Sequence, residues 1–415
     1  MNAEILCIGT EVLIGDIVNT NAAYISKKLS EAGVSVYYHC VCGDNKQRLQ
    51  KSINLALSRS DIVITTGGLG PTYDDITKEI IAEELGIELV LDNEILHHLE
   101  EYFAKSGRTM TQNNVKQAYV PKDSHIFRNM FGTADGICVT HNEKMIIMLP
   151  GPPREMIPML DNQVIPYLSL KTDHVLVSSN INIFGMGESS VENALADIMK
   201  TSTNPTIAPY VGGGEVRLRI TASAKNEADA RKLISPIAQK VKQTLGDVVY
   251  GIDADSIESV LVEKLTEKGK TVSFAESCTG GLISKRITDV PGASKVYGFG
   301  FCTYANEAKM KILGVKAETL EKYGAVSSQT ACEMAEGARL VSGSDIAISV
   351  TGIAGPTGGS AEKPVGLVYM GISTAKETKF KKLLLAQHSG HDRNYVRTLT
   401  ANHAFKTAID ECSLM

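Results

Sequence analysis

Apolar runs and amphipathic stretches alternate along the first part of the chain. Apolar runs at residues 3–8, 34–41 and 61–65 predict strands. The periodic apolar positions of residues 21–32 predict a helix between the first two strands. Because strands that alternate with helices form parallel sheets with helices on both faces, residues 1–170 are predicted to form a doubly wound α/β domain.

The next section, residues 171–252, has a different order of elements. Strand patterns cover residues 175–184, 206–210 and 215–222, and helical periods cover residues 189–199 and 228–245. The glycines of residues 211–214 are typical of a tight turn between antiparallel strands. A small α+β domain that connects its neighbours fits this order.

Residues 253–415 return to alternating strands and helices. Strands are predicted at residues 271–275, 345–350 and 366–373, and helices at residues 256–267, 280–287, 328–341 and 392–412. The fold class is therefore α/β, with three sections: a doubly wound N-terminal domain, a small α+β middle domain and a C-terminal α/β domain.

Composition and charge narrow the function classes. The chain is 43% hydrophobic and 21% charged, as in folded proteins, and its net charge of −5 offers no general attraction for nucleic acid. None of the eight cysteines forms a Cys-x-x-Cys pair. No apolar stretch reaches about 18 residues and the start is not that of a secretory signal, so we expect a cytoplasmic protein without membrane or nucleic-acid partners.

The strongest local motif is AESCTGG, residues 275–281, which lies between a predicted strand and a predicted helix. The main-chain N–H groups of Thr279, Gly280 and Gly281 would lie at the start of that helix, where they favour an oxyanion or a phosphate. Ordinary helix capping explains these residues equally well when they are taken alone.

Further polar residues follow other predicted strands of this section. Tyr304 and Lys309 share one short stretch, and Thr351 with Gly352 follows another strand. Arg393 and Arg397 are four residues apart and share a helix face, which suits a nucleotide phosphate or a salt-bridged surface. The histidines at positions 388 and 391 offer a weaker alternative base for a serine nucleophile.

Residues 256–412 resemble the nicotinamide-nucleotide amidase domain of the CinA family. The motifs that carry the resemblance are AESCTGG, FCTYANEAK, GAVSSQ, TGIAGPTGG, KPVG and GHDR, in that order. The resemblance implies that nicotinamide mononucleotide is hydrolysed, without a cofactor, to nicotinic acid mononucleotide and ammonia. It implies Ser277 as nucleophile and Lys309 as general base, with Tyr304 nearby. In such a site we expect Thr279, Gly280 and Gly281 around the oxyanion, Thr351 and Gly352 at the amide, and Arg393 and Arg397 at the phosphate.

The N-terminal section has a second group of candidate site residues. Glu11, Asp16, Asn19 and Asn21 follow the first predicted strand, and the loop TTGGLGPTYDD contributes Gly67, Gly68, Gly70, Thr72, Asp74 and Asp75. Glycines let a ligand approach the backbone closely, and adjacent carboxylates can hold a hard cation. The alternative is a helix start that Thr72 caps and the two aspartates complement. A rigid turn, PGPPREM, adds Glu155.

Residues 3–170 resemble the MoaB/MogA family of molybdopterin-binding proteins and, more closely, the N-terminal CinA domain. The motifs are TTGGLGPTYDD, GTADG and LPGPPREM. This resemblance implies an ADP-ribose pyrophosphatase that forms AMP and ribose 5-phosphate, uses cobalt or magnesium at Asp74 and Asp75, and has potassium as a further candidate cation. The family also implies a homodimer.

Together the two resemblances predict a bifunctional hydrolase of pyridine-nucleotide salvage whose substrates are small nucleotides. Two alternatives stay open. One is an amidase fused to a non-catalytic, molybdopterin-type binding domain, and the other is a binding protein connected with competence or DNA damage.

Overall fold

The structure is a computed structural model that describes residues 1–171, 174–385 and 392–415. The chain divides into two compact units, one of Met1–Ser178 with Ala222–Leu233 and the other of Ser179–Thr221 with Ile234–Met415. No helix in these described ranges is long and apolar enough to cross a membrane. The predicted α/β class with three sections is confirmed, whereas the boundaries at residues 170 and 252 stay predictions.

The N-terminal section contains a six-stranded sheet and a separate pair of short strands. Its strands are β1 (Asn2–Ile8), β2 (Ser35–Cys42), β3 (Ile62–Thr66), β4 (Leu89–Leu91), β5 (Tyr119–Pro121), β6 (His125–Phe127), β7 (Gly136–His141) and β8 (Lys144–Leu149). Its helices are α1 (Thr10–Leu13), α2 (Thr20–Glu31), α3 (Lys46–Arg59), α4 (Thr77–Leu85), α5 (Asn93–Lys105), α6 (Gln112–Val115), α7 (Pro153–Met159) and α8 (Ile165–Ser169).

The six-stranded sheet has the order β2-β1-β3-β8-β7-β6 and is parallel only in part. The strands from β2 to β8 in this order are parallel, but β8, β7 and β6 pair antiparallel. The predicted parallel pairing therefore holds for β2, β1, β3 and β8 but not for β7 and β6. Between β7 and β8 only Asn142 and Glu143 intervene, both with positive φ (49° and 64°), which is the geometry of a two-residue hairpin turn.

Three parallel strands of this sheet bring the N-terminal motifs to one edge. β1, β3 and β8 are almost fully buried, as expected for strands with helices on both faces. Gly67, directly after β3, donates its N–H to the carbonyl of Leu149 at the end of β8 (3.0 Å). The glycine loop and the PGPP turn therefore lie side by side.

The middle section forms a four-stranded sheet of order β10-β11-β9-β12. Its elements are β9 (Val175–Ile183), α9 (Glu188–Ala194), α10 (Ala196–Thr201), β10 (Thr206–Gly212), β11 (Glu215–Ala224), α11 (Glu227–Leu245) and β12 (Val249–Ile252). The predicted turn is confirmed, because β10 and β11 pair antiparallel and Gly213 and Gly214 between them have φ of 62° and 82°. One predicted helix is instead two, α9 and α10, separated at Leu195.

The C-terminal section forms a five-stranded sheet of order β14-β13-β15-β16-β17. Its elements are α12 (Ile257–Lys268), β13 (Val272–Glu276), α13 (Leu282–Thr288), β14 (Tyr297–Cys302), α14 (Asn306–Leu313), α15 (Ala317–Tyr323), α16 (Ser328–Ser342), β15 (Ile346–Gly352), β16 (Leu367–Thr374), β17 (Thr378–Leu384) and α17 (Arg393–Ser413). β14, β13 and β15 are parallel, whereas β16 and β17 are antiparallel. The loops that follow the three parallel strands therefore leave the same edge.

A close approach of helix α16 to its neighbours gives a stability prediction. A Cβ at Gly337 would overlap the main-chain oxygen of Leu313, which cannot rotate away. Within a helix, alanine normally stabilises the fold by about 1 kcal/mol relative to glycine. Here the overlap with Leu313 outweighs that gain, and we expect Gly337→Ala to lower the unfolding free energy by about 2 kcal/mol. Urea unfolding would measure the loss. Gly298→Ala, at an open position of β14, should change stability by less than about 0.5 kcal/mol, and equal stability of the two variants would contradict this packing.

Candidate functional site

The structure brings Ser277 and Lys309 into direct contact. Ser277 follows β13, and Lys309 lies on α14 with its Nζ 3.1 Å from the serine Oγ. Lys309 Nζ also donates to the main-chain oxygens of Thr303 (2.8 Å) and Tyr304 (3.0 Å). A neutral amine has two N–H groups and one lone pair. If both carbonyls take the N–H groups, the lone pair faces the serine hydroxyl.

The environment of Lys309 favours its neutral form. The side chain is buried, with 1% exposed, and no salt bridge to it is found among the described residues. Burial lowers the pKa of Lys309. A lysine with a lowered pKa can accept a proton from a neighbouring hydroxyl near neutral pH.

The turn after Ser277 differs from the predicted wall of oxyanion donors. Gly280 donates its N–H to the carbonyl of Ser277 (3.1 Å), and Gly281 donates to the carboxylate of Glu276 (3.0 Å). Both N–H groups are therefore already bonded, and the predicted role for them does not fit this geometry. The N–H of Thr279 stays a candidate donor.

Two threonine hydroxyls near this turn have no hydrogen-bond partner among the described residues. They belong to Thr279 and Thr303, both fully buried. An unpaired buried hydroxyl costs free energy unless water or a ligand satisfies it. Thr303 was missed at the level of sequence, because nothing in FCTYANEAK shows that its carbonyl holds the lysine.

Other predicted residues of this site make contacts that the sequence did not predict. Tyr304 has 62% of its surface exposed and reaches Lys309 through its main-chain oxygen, not through its phenol. The Thr351 hydroxyl donates to the carbonyl of Ala325 (2.7 Å). Gly352 allows β16 to approach, because a Cβ there would crowd Leu367. Roles for Thr351 and Gly352 at the amide stay predictions.

The two arginines at the start of α17 hold loops of the same edge. Arg393 donates to the carbonyl of Gly355 (3.0 Å), and Arg397 donates twice to the carbonyl of Thr279 (2.7 and 3.2 Å). A guanidinium has five N–H donors, so each retains donors for a phosphate. The predicted histidines at positions 388 and 391 lie outside the described residues.

The N-terminal section contains a cavity of about 550 Å³ where β1, β3 and β8 end. Glycines shape one of its walls: a Cβ at Gly67 would overlap the Ile8 carbonyl, and one at Gly68 the Thr77 hydroxyl. Both have positive φ, 106° and 72°. Only glycine fits both the conformation and the space. Neither Ser277 nor Lys309 lines this cavity or the 250 Å³ cavity of the middle section.

Asp74 and Asp75 converge on one hydroxyl in this cavity. The Thr72 hydroxyl is within hydrogen-bond distance of both carboxylates, and the Thr72 N–H donates to Asp75 Oδ2 (3.0 Å). The hydrogen bond from Thr72 lowers the pKa of Asp74. Helix α4 begins only at Thr77, so the alternative of a helix start capped by Thr72 is wrong. Gly70 makes room for Asp75, because a Cβ at Gly70 would overlap its carboxylate.

The remaining predicted residues divide between the cavity and the outside. Asn21 ties two loops by donating to Thr66 Oγ1 (3.0 Å) and to the carbonyl of Gly151 (2.7 Å). Glu155 also lines the cavity and accepts from Asn129 (2.8 Å). Further predicted residues in the lining are Glu11, Asn19, Gly67, Gly68, Gly70, Thr72, Asp74 and Asp75. Asp16 is exposed and not part of the lining, which corrects the prediction for that residue.

Sequence reasoning missed two residues around this cavity. Asp44 lines it and accepts from the N–H and the hydroxyl of Thr10 (3.0 and 2.8 Å). Lys116 donates to the carbonyls of Thr72 and Asp75, and so holds both ends of the aspartate turn. Neither residue lies in a glycine-rich motif, so no local signal marked them.

The lining is suited to a hard cation that oxygen atoms bind. It has five carboxylates and no lysine or arginine; the acidic residues are Glu11, Asp44, Asp74, Asp75 and Glu155. Asn21 Oδ1 is also buried without a partner among the described residues. No three metal-binding side chains cluster anywhere in the described part of the chain. A cation here would therefore rely on the aspartate pair together with water and ligand oxygens, as magnesium commonly does.

The fold and these two sites define a three-section α/β protein with a serine–lysine pair in its C-terminal section and an acidic cavity in its N-terminal section. Three family models match it: "Probable molybdopterin binding domain" at residues 4–170, "Damage-inducible protein CinA KH domain" at residues 178–251 and "CinA C-terminal domain" at residues 254–412. A "CinA-like protein" of Dictyoglomus turgidum is 50% identical over 400 residues, 96% of each chain. A second, of Dictyoglomus thermophilum, is 49% identical over 404 residues, 97% of each chain. The chain belongs to the CinA family.

Solved structures cover parts of the chain. The crystal structure of the competence/damage inducible protein CihA from Agrobacterium tumefaciens is 42% identical and covers 37% of this chain and 95% of its own, with a TM-score of 0.35. The crystal structure of the protein CinA with unknown function from Thermoplasma acidophilum is 35% identical and covers 39% of this chain and 95% of its own, with a TM-score of 0.37.

Proposed function

We propose that the C-terminal section hydrolyses the carboxamide of nicotinamide mononucleotide, giving nicotinic acid mononucleotide and ammonia. The observation that carries this proposal is the 3.1 Å contact between Ser277 Oγ and a buried lysine amine whose other neighbours are two carbonyls. Resemblance to the CinA amidase supplies the substrate. The donors that Arg393 and Arg397 have left after binding their carbonyls support recognition of its phosphate.

The chemistry follows from the pair. Ser277 Oγ bonds to the amide carbon while its proton passes to Lys309 Nζ. The amide carbon is then tetrahedral. Lys309 then gives the proton to the departing nitrogen, so ammonia leaves and an ester with Ser277 stays. Water, deprotonated by the same amine, then adds to the ester carbon, and Lys309 returns the proton to Ser277 Oγ as the carboxylic acid leaves. The hydroxyls of Thr279 and Thr303 and the Thr279 N–H are the candidate donors to the oxyanion.

Ammonia release should depend on pH through Lys309. The base works only when neutral, so kcat/KM should rise with pH through the lysine pKa and then level off. Because burial lowers this pKa, the rise should come at a pH below that of an ordinary lysine. A profile of kcat/KM between pH 5 and pH 10 would measure it. A rise centred at an unshifted lysine pKa would contradict a desolvated base.

We further propose that the N-terminal cavity binds ADP-ribose and hydrolyses its diphosphate to AMP and ribose 5-phosphate. The five carboxylates of the lining support a requirement for a divalent cation, because they would repel a bare diphosphate. Asp74 and Asp75 would hold magnesium or cobalt, which would neutralise phosphate charge. The glycine wall would let the diphosphate approach the backbone.

A molybdopterin-type binder is the second candidate for this cavity, because the family model over residues 4–170 bears that description. Incubating the full chain with ADP-ribose and magnesium, with and without a chelator, separates the two. We expect AMP only when the metal is present. Tight pterin binding without AMP release would favour the binder. The homodimer stays a prediction.

A further inference from the structure

Glu276 places a fully buried carboxylate directly before the proposed nucleophile. Its Oε2 accepts from the N–H groups of Gly281 and Ile283, both at 3.0 Å. Its Oε1 accepts from the N–H (2.7 Å) and the hydroxyl (2.6 Å) of Ser284. One side chain therefore meets four donors, three of them on the main chain.

No cation balances this carboxylate among the described residues. A buried charge is very costly unless hydrogen bonds satisfy it, and here Gly281 and the first residues of α13 supply them. Because Glu276 ends β13 and its donors lie five to eight residues later, the carboxylate closes a loop over residues 277–281. The conformation of that loop fixes where Ser277 projects.

The main chain of Glu276 also contacts the segment that holds the base. Its carbonyl accepts from the N–H of Thr303 (2.9 Å). The carbonyl of Thr303 in turn accepts from Lys309. Glu276 is therefore linked to both partners of the proposed proton transfer. It is linked to Ser277 through the loop that its carboxylate closes, and to Lys309 through Thr303.

We propose that Glu276 is a positioning residue, whose carboxylate clamps residues 277–281 so that the Ser277 hydroxyl meets the Lys309 amine. This inference rests on the Ser277–Lys309 pair of the amide hydrolysis proposed above. It adds a residue that touches neither substrate nor the transferred proton. It also accounts for the Gly281 N–H, which is bonded to Glu276 and not turned toward a ligand.

The test uses the full chain with Glu276→Gln, which keeps the shape but turns one acceptor into a donor that faces N–H groups. Because small misplacements of reacting groups cost about 10²-fold in rate, we expect kcat for ammonia release to fall by about that factor while KM changes less than about twofold. A fluorophosphonate probe, which reacts with activated serines, should label Ser277 more slowly by the same factor.

Glu258→Gln is the matched control. Glu258 is also buried and accepts from Arg286 (2.8 and 3.1 Å), near the far end of the same helix α13. This variant should lower the unfolding temperature but leave kcat and the labelling rate unchanged. Should Glu276→Gln fail to fold, Ser284→Ala removes one of the four donors and should slow labelling by a smaller factor than the one expected for Glu276→Gln.

The rates of labelling and of ammonia release distinguish failure of the positioning role of Glu276 from failure of the proposed amidase activity. If the parent releases no ammonia but Glu276→Gln is labelled more slowly than Glu258→Gln, the amidase proposal fails and the positioning role stands. If the two variants are labelled equally fast, Glu276 does not position the serine, whatever the substrate. If the parent is not labelled at all, Ser277 is not activated and both proposals are overturned.

Discussion

Ser277→Ala is expected to reduce ammonia release from nicotinamide mononucleotide by about 10³-fold or more, because it removes the atom that bonds to the amide carbon. Lys309→Met should cost a similar factor, since methionine fills the same volume without a proton acceptor. The double variant should be little worse than either single one, because the two groups act as a unit. Initial rates of ammonia formation at saturating substrate would measure all three.

The controls address folding and the identity of the base. Lys309 donates to two carbonyls, so its loss could also disturb the loop, and unfolding temperatures of all variants should be compared. Lys309→Arg keeps donors but cannot give up its proton near neutral pH, and should be as inactive as Lys309→Met. Full ammonia release by Ser277→Ala would contradict the assignment of Ser277 as the nucleophile.

Asp75→Asn is expected to reduce AMP formation from ADP-ribose by about 10²-fold or more, because loss of one of two adjacent carboxylates weakens the hold on the metal. Ammonia release should not change, since Asp75 belongs to the N-terminal cavity. Raising the magnesium concentration should restore part of the activity if the defect is in metal affinity. Both products can be measured from the same preparation.

Asp123→Asn is the matched control for this prediction. Asp123 lies on an exposed turn of the same section, with φ of 61°, a conformation that asparagine also accepts. It does not line the cavity. AMP formation should therefore equal that of the parent. Equal activity of Asp75→Asn and Asp123→Asn would show that the aspartate turn does not hold a required metal.

The strands and helices that periodicity predicted lie within about two residues of the observed ones, apart from the predicted helix that divides into α9 and α10, because buried strands and amphipathic helices leave regular apolar patterns. Other elements, such as α3, β14 and β17, were not predicted. Strand β13, predicted at residues 271–275, spans Val272–Glu276, and the strand predicted at residues 3–8 spans Asn2–Ile8. Strand direction was less accessible. The reversal at β7 depends on a two-residue turn, Asn142 and Glu143, that has no glycine to mark it.

Candidate site residues could be proposed from the sequence where a motif follows a predicted strand, as for Ser277 and Asp75. Their hydrogen-bond partners could not be predicted from the sequence. The predicted oxyanion donor at Gly281 is occupied by Glu276, five residues earlier, because the chain folds back within the loop. Asp44 and Lys116 come from segments without glycine clusters, and only the tertiary fold brings them to the aspartate turn or its cavity.

Helix α17 contacts two distant features of the C-terminal unit. Its first turns hold the loops beside Ser277, while the Asn402 amide donates to the carbonyl of Gly213 in the β10–β11 turn (3.0 Å), and Gly214 abuts Leu399. Cutting the chain near residue 252 to isolate the last section would therefore remove the acceptor of the Asn402 amide and expose the apolar side chain of Leu399. Activity assays should therefore use the uncut polypeptide, because isolated fragments would lack these contacts.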